Sequence, residues 1–186
     1  MIQNWIGDGI MKKQIILITG LMASGKSTIA QLLAGRMEKA VHLRGDIFRR
    51  MIVSGREDMR ENAPPEAFEQ LYLRYRMTAD AAKSYYDHGF TVVVQDNYYG
   101  QALADMVKMF KGYPLQVIVL CPDAETIAMR EAGRGKTGYT GFDIMPLYTS
   151  FMEETPRIGM RIDSSNLSVR ETADRIMTKL MNEENR

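Results

Sequence analysis

One cysteine, two histidines and no long apolar run set the first bounds on this chain of 186 residues. A lone Cys121 cannot close an internal disulfide, which fits a reducing compartment, and at a strand end it reads as a small core residue. His42 and His88 have no partners at ligand spacing, so a zinc site is not expected. No stretch reaches the roughly 18 apolar residues of a membrane span. Residues 1–10 lack the basic start and apolar core of a secretory signal, so a cytoplasmic location and no membrane partner are expected. Charge of one sign is missing too. Lys and Arg total 24 against 23 Asp and Glu, a net +1, so no overall field draws the chain to nucleic acid. Repeats, low-complexity tracts and linkers are absent, and one domain is expected over 1–186. Met11-Lys12-Lys13 precedes the first apolar run like a natural start, which makes residues 1–10 an accessory arm.

What is present is an alternation of short apolar runs with helical periodicity. Gln14–Thr19, Ala40–Arg44, Phe90–Gln95, Leu115–Cys121 and Ile158–Ile162 read as strands. Between them, Ile29, Leu32, Leu33 and Met37 recur at helical spacing. So do Phe68, Leu71, Tyr72, Tyr75, Ala79, Ala82 and Tyr86, stopped by Gly89. Further helices are expected around Leu103–Phe110, from Asp123 as N-cap through Ala132, from Asp143 to before Pro156, and after the capping box Ser168–Glu171. Val169, Ala173, Ile176 and Leu180 should form the buried stripe of the last one. Gly133–Gly141 has glycine at every second or third position and no period, the pattern of a lid loop. Strands alternating with helices imply right-handed crossovers, a parallel sheet covered on both faces, and a site beyond the carboxyl ends of the strands.

Gly20-Leu21-Met22-Ala23-Ser24-Gly25-Lys26-Ser27 satisfies G-x-x-x-x-G-K-[ST], between an apolar strand and an amphipathic helix. Glycines let the backbone wrap a phosphate closely, and the N–H groups at the helix start converge on its oxygens. Gly20, Ala23, Ser24, Gly25, Lys26, Ser27 and Thr28 are therefore the candidate nucleotide contacts. Lys26 is suited to the β- and γ-phosphates and Ser27 to Mg²⁺.

Asp96 closes the third strand and is suited to the Mg²⁺ shell, although an aspartate opening a turn would look the same. Asp46 follows the second strand, where it could orient and deprotonate an acceptor hydroxyl or cap a helix over Ile47–Val53. Arg44, Arg49 and Arg50 are either solvated helix charges or contacts to an anionic acceptor. Arg130 and Arg134 bracket the helix end before the glycine-rich loop and could stabilise charge on the transferred group; otherwise they are ordinary arginines at a helix end. Tyr98 and Tyr99 could stack on an aromatic acceptor or pack in the core.

With GLMASGKS, LRGDIFRRM, VVVQD and the run from Arg130 to Arg134 in this order, the chain resembles the nucleoside-monophosphate-kinase-like group of phosphotransferases. Within that group it looks most like chloramphenicol phosphotransferase-like proteins. The resemblance spans about Gln14 to the C-terminal helix. It implies a three-layer α/β/α P-loop NTPase fold with strand order 2-3-1-4-5, and an ATP- and Mg²⁺-dependent small-molecule kinase. In that kinase Asp46 is the base and Arg134 belongs to the lid. No signature in Ser54–Tyr86 names the acceptor. A nucleotide or polynucleotide-end kinase is the alternative enzyme. A nucleotide-dependent switch is the non-catalytic alternative, although the N-K-x-D motif of guanine readers is lacking.

Overall fold

A computed structural model describes residues 11–133 and 143–184. The arm at 1–10, Arg134 and the lid beyond Gly133 lie outside the described residues. Five strands form one parallel sheet: β1 (Ile15–Gly20), β2 (Ala40–Arg44), β3 (Thr91–Gln95), β4 (Leu115–Leu120) and β5 (Met160–Ile162). Their order is β2-β3-β1-β4-β5, as the resemblance implied. β1 and β3 are buried at every position, because helices cover both faces and leave no side for polar alternation.

One face packs under α3 (Pro65–Asp87), α4 (Gln101–Met109) and α6 (Ile144–Glu154). There Ile15, Leu17, Val92 and Val94 meet Tyr75, Ala79, Met106 and Phe151. The other face packs under α1 (Lys26–Ala34) and α7 (Val169–Glu184), where Ile16, Ile18 and Val93 meet Ile29, Leu33, Ala173 and Ile176. The short α2 (Asp46–Arg50) and α5 (Ala124–Ala132) complete the set. No helix among the described residues is long and apolar enough to cross a membrane.

The local signals explain the ends of several elements. The Asp123 side chain accepts from the Thr126 N–H at 2.7 Å and caps α5. Ser168 and Glu171 exchange hydrogen bonds at 3.2 and 2.8 Å, a closed capping box at the start of α7. Two apolar positions expected inside lie outside: Phe68 is 49% exposed and Val169 41%. Both sit in the first turn of their helices. Gly159, before β5, has φ +75° and faces the carbonyl carbon of Val117 at 2.8 Å from where a Cβ would stand. Gly159→Ala should therefore cost about 1–3 kcal/mol, read as a lower melting temperature.

Candidate active site

The carboxyl ends of β1, β2 and β3 lie side by side, and each delivers one part of the site. From β1 the chain enters the phosphate-binding loop. Gly20 has φ +151°, and a Cβ there would stand 2.8 Å from Ser24 Oγ and 3.2 Å from Leu120 Cβ. Ala23 adopts φ +63° and Gly25 φ +94°, left-handed positions that curl the loop before α1. Gly25 supplies no side-chain cap, so the first N–H groups of α1 are left for an anion. The Ser24 hydroxyl is fully buried without a hydrogen-bond partner, and Ser27 and Thr28 are exposed at the start of the helix.

Lys26 folds back over this loop. Its ammonium donates to the carbonyl oxygens of Gly20 and Leu21 at 2.8 and 2.7 Å. It is nearly buried, so a phosphate entering the loop meets a largely desolvated cation. The cradle of glycine backbone, the uncapped helix start, the orphaned Ser24 hydroxyl and Lys26 together fit a nucleoside polyphosphate.

β3 ends at Gln95, and Asp96 follows, 5% exposed. Its Oδ1 accepts from the Asn97 N–H at 2.8 Å. The Thr19 hydroxyl of β1 accepts from the Tyr98 N–H at 2.9 Å and fixes the same turn to the phosphate-loop strand. Across the sheet edge stands Arg74 of α3, 12% exposed, with Nε 3.0 Å from Asp96 Oδ2 and Nη2 3.4 Å from Oδ1. The Nε contact is an ion pair without an aligned hydrogen bond, which leaves Oδ2 with lone-pair capacity. Burial pushes the Asp96 carboxyl up from its ordinary range, and the nearby carboxylate of Asp46 adds to this; Arg74, the Asn97 N–H and Lys26 pull it back.

Arg74 was not among the expected site residues. Its signal lies in its place on the α3 stripe, three residues after Leu71 and four before the buried Thr78, where an arginine requires a buried partner. Arg74→Met should cost about 3–5 kcal/mol by leaving Asp96 buried without its counter-charge. Pairing it with Asp96→Asn should recover much of that loss in a denaturant titration, a coupling that two unrelated surface changes would not show.

β2 delivers Gly45 and Asp46. Gly45 is buried against Asp96, and an added Cβ there would overlap the Oδ2 atom and stand 3.0 Å from Cγ. Gly45, not Asp46, holds the N-cap position of α2. Asp46 makes no capping bond and is instead the first helical residue, so the capping role expected for it is replaced by charge at a helix start. α2 is also shorter than the expected Ile47–Val53, with Met51 as its C-cap. Asp46 is paired with Arg44 and Arg50.

The other candidates fall further out. Arg130 stands in the last turn of α5 and donates to the Ser164 carbonyl at 2.8 Å, which ties α5 to the segment after β5. Tyr98 is buried against Tyr75 with ring centroids 4.9 Å apart, so it cannot stack on an acceptor. Tyr99 packs edge-on against Phe151. His42 bonds to Gln31 at 2.9 Å, and no group of three metal-binding side chains occurs among the described residues.

A family model described as an AAA domain matches residues 15–145, which takes in the phosphate loop, Asp46, Arg74 and Asp96. The chain belongs to that AAA-domain family. A search of curated protein sequences found no match. Solved structures similar to this AAA-domain chain include a sugar kinase from a Janibacter species, at 18% identity and TM-score 0.66 over 90% of this chain and 94% of that one. The tunicamycin resistance protein of Deinococcus radiodurans aligns at 15% identity and TM-score 0.66, over 91% and 96% of the two chains. The APS kinase of Mycobacterium tuberculosis aligns at 17% identity and TM-score 0.60, over 92% and 98%. The likeness establishes the P-loop kinase fold.

Proposed function

We propose that this AAA-domain chain is a single-domain cytoplasmic kinase that transfers the γ-phosphoryl group of ATP to a hydroxyl of a small molecule. The observation that carries the reading is the convergence on one sheet edge. An anion cradle with a buried ammonium ends β1, a buried acid ends β3, and a half-buried acid follows β2. A nucleotide-binding switch would need the cradle but has no use for a second acid beside it. The sugar kinase and APS kinase named among the similar structures, and the motif likeness to chloramphenicol phosphotransferase-like proteins, point the same way.

Mg²⁺ bound with the nucleotide would neutralise charge on the phosphate oxygens, and Ser27 and Asp96 are the residues suited to hold it, directly or through water. The chain's own groups do the rest. Gly20, Ala23, Ser24, Gly25 and Thr28 shape the cradle and present its N–H groups. Lys26 exchanges its two carbonyl partners for phosphate oxygens. Asp46 orients the acceptor hydroxyl and takes its proton. Arg134 and the lid at 133–141 would supply positive charge and exclude water as they close, and Arg130 could join them by leaving the Ser164 carbonyl.

Thermal unfolding with and without ATP and Mg²⁺ tests the first half of the proposal. Nucleotide at 100 times its dissociation constant should stabilise the chain by about 2.7 kcal/mol. ADP release screened across small hydroxyl compounds tests the second half. A melting curve indifferent to every nucleotide would end the proposal.

A further inference from the structure

Asp46 is flanked by two arginines in this structure. Arg44 Nε lies 3.3 Å from its Oδ1, Arg50 Nη2 donates to Oδ2 at 2.8 Å, and Arg44 Nη2 reaches the same oxygen at 3.4 Å. The two guanidinium groups crowd the carboxylate from both sides, and its side chain is only 27% exposed.

Resting on the kinase reading above, we propose that the acceptor is a hydroxyl compound carrying a separate anionic group, and that this anion draws Arg44 and Arg50 off Asp46 as it binds. Three features support the exchange. The two arginine side chains are about half exposed, and ion pairs of that kind contribute little to stability, so changing partner costs little. The planar guanidinium fork suits a carboxylate, a phosphate or a sulfonate equally well, which makes anion chemistry the natural replacement.

The third feature is that Arg44 and Arg50 both pair with the single carboxylate of Asp46, one guanidinium more than it balances, which an anionic acceptor would complement.

Once Asp46 is released, the acceptor hydroxyl oxygen attacks the γ-phosphorus and its proton passes to an Asp46 oxygen. The bond from that phosphorus to the β–γ bridging oxygen breaks, and its electron pair leaves on ADP. Water and neutral alcohols carry no anion to move the arginines, so they meet an Asp46 still paired with both. The pair of arginines then acts both as a selector for the acceptor and as a guard against ATP hydrolysis.

The test uses the full chain saturated with Mg²⁺ and β,γ-methylene-ATP. Its melting temperature is followed with glycerate, glycerol 3-phosphate and isethionate, which carry a carboxylate, a phosphate and a sulfonate, and with glycerol as the neutral control. At least one of the three anions should raise the melting temperature by about 2 °C or more, and which one does so identifies the group. Glycerol should not, and Arg44→Met/Arg50→Met should lose the response while keeping the shift caused by nucleotide. The same double variant should release ADP from ATP without acceptor about tenfold faster or more, and adding Asp46→Asn should cancel that gain. Indifference of the wild-type complex to all three anions, an equal response in the double variant, or unchanged hydrolysis would each overturn the proposal. Failure of nucleotide itself to stabilise the chain would instead remove the kinase reading, and this inference with it.

Discussion

Lys26→Ala should reduce phosphoryl transfer by at least about 10²–10³-fold while leaving the melting temperature of the ligand-free chain nearly unchanged. The ammonium ends inside the phosphate loop against two backbone carbonyls, rather than among core side chains. Its removal subtracts positive charge where negative charge gathers in the transition state. The same variant should also lose most of the thermal shift caused by ATP. Transfer rates and melting curves, taken together, check both halves. Full turnover in Lys26→Ala would mean that the loop does not hold the reacting phosphates.

Asp46→Asn should lower kcat by roughly 10²–10⁴-fold with little effect on ATP binding, if the acceptor is a hydroxyl. Asparagine keeps the shape of the side chain but accepts no proton. Because Asp46 makes no capping bond, the helix it begins should survive the change. A phosphate acceptor would arrive ionised and need no base. The variant would then be mild, and Arg44→Ala or Arg49→Ala would raise the acceptor KM instead. Steady-state kinetics with each variant separate the two cases. Near-normal activity in Asp46→Asn would favour a nucleotide kinase.

Much of this fold was legible in the sequence because its inner strands β1 and β3 are buried at every position. Runs such as IILIT and VVV have no polar alternation, and the expected span Ala40–Arg44 is the observed β2. Caps were legible for the same local reason, since Asp123 and the Ser168–Glu171 pair act within three residues of themselves. Periodicity failed at two helix starts, where Phe68 and Val169 keep the spacing of their stripes but stand exposed in the first turn.

The site was legible in part for comparable reasons. The phosphate loop is contiguous, so its pattern carries its own geometry. Asp46 and Asp96 were visible as acids closing strands. Arg74 was not, because its partner lies 22 residues away and only the crossover from α3 into β3 brings them together. The clamp on Asp46 was hidden as well, since a solvated arginine and one holding a carboxylate look alike in sequence.

On the proposed kinase reading, the strand order separates the two substrates in the sheet. The nucleotide cradle grows from β1, the central strand, flanked on both sides by β3 and β4. Asp46 and its arginines grow from β2, an outermost strand paired only to β3. Beside them Ile47, Met51 and Val53 lie in the open, and substitutions at such exposed positions usually shift stability by no more than about 0.5 kcal/mol. If the kinase proposal holds, acceptor preference can drift by small surface changes at the margin while the proposed ATP site stays fixed at the centre. The domain would then be evolvable: one phosphoryl donor site could be handed down unchanged as the compound it modifies is replaced.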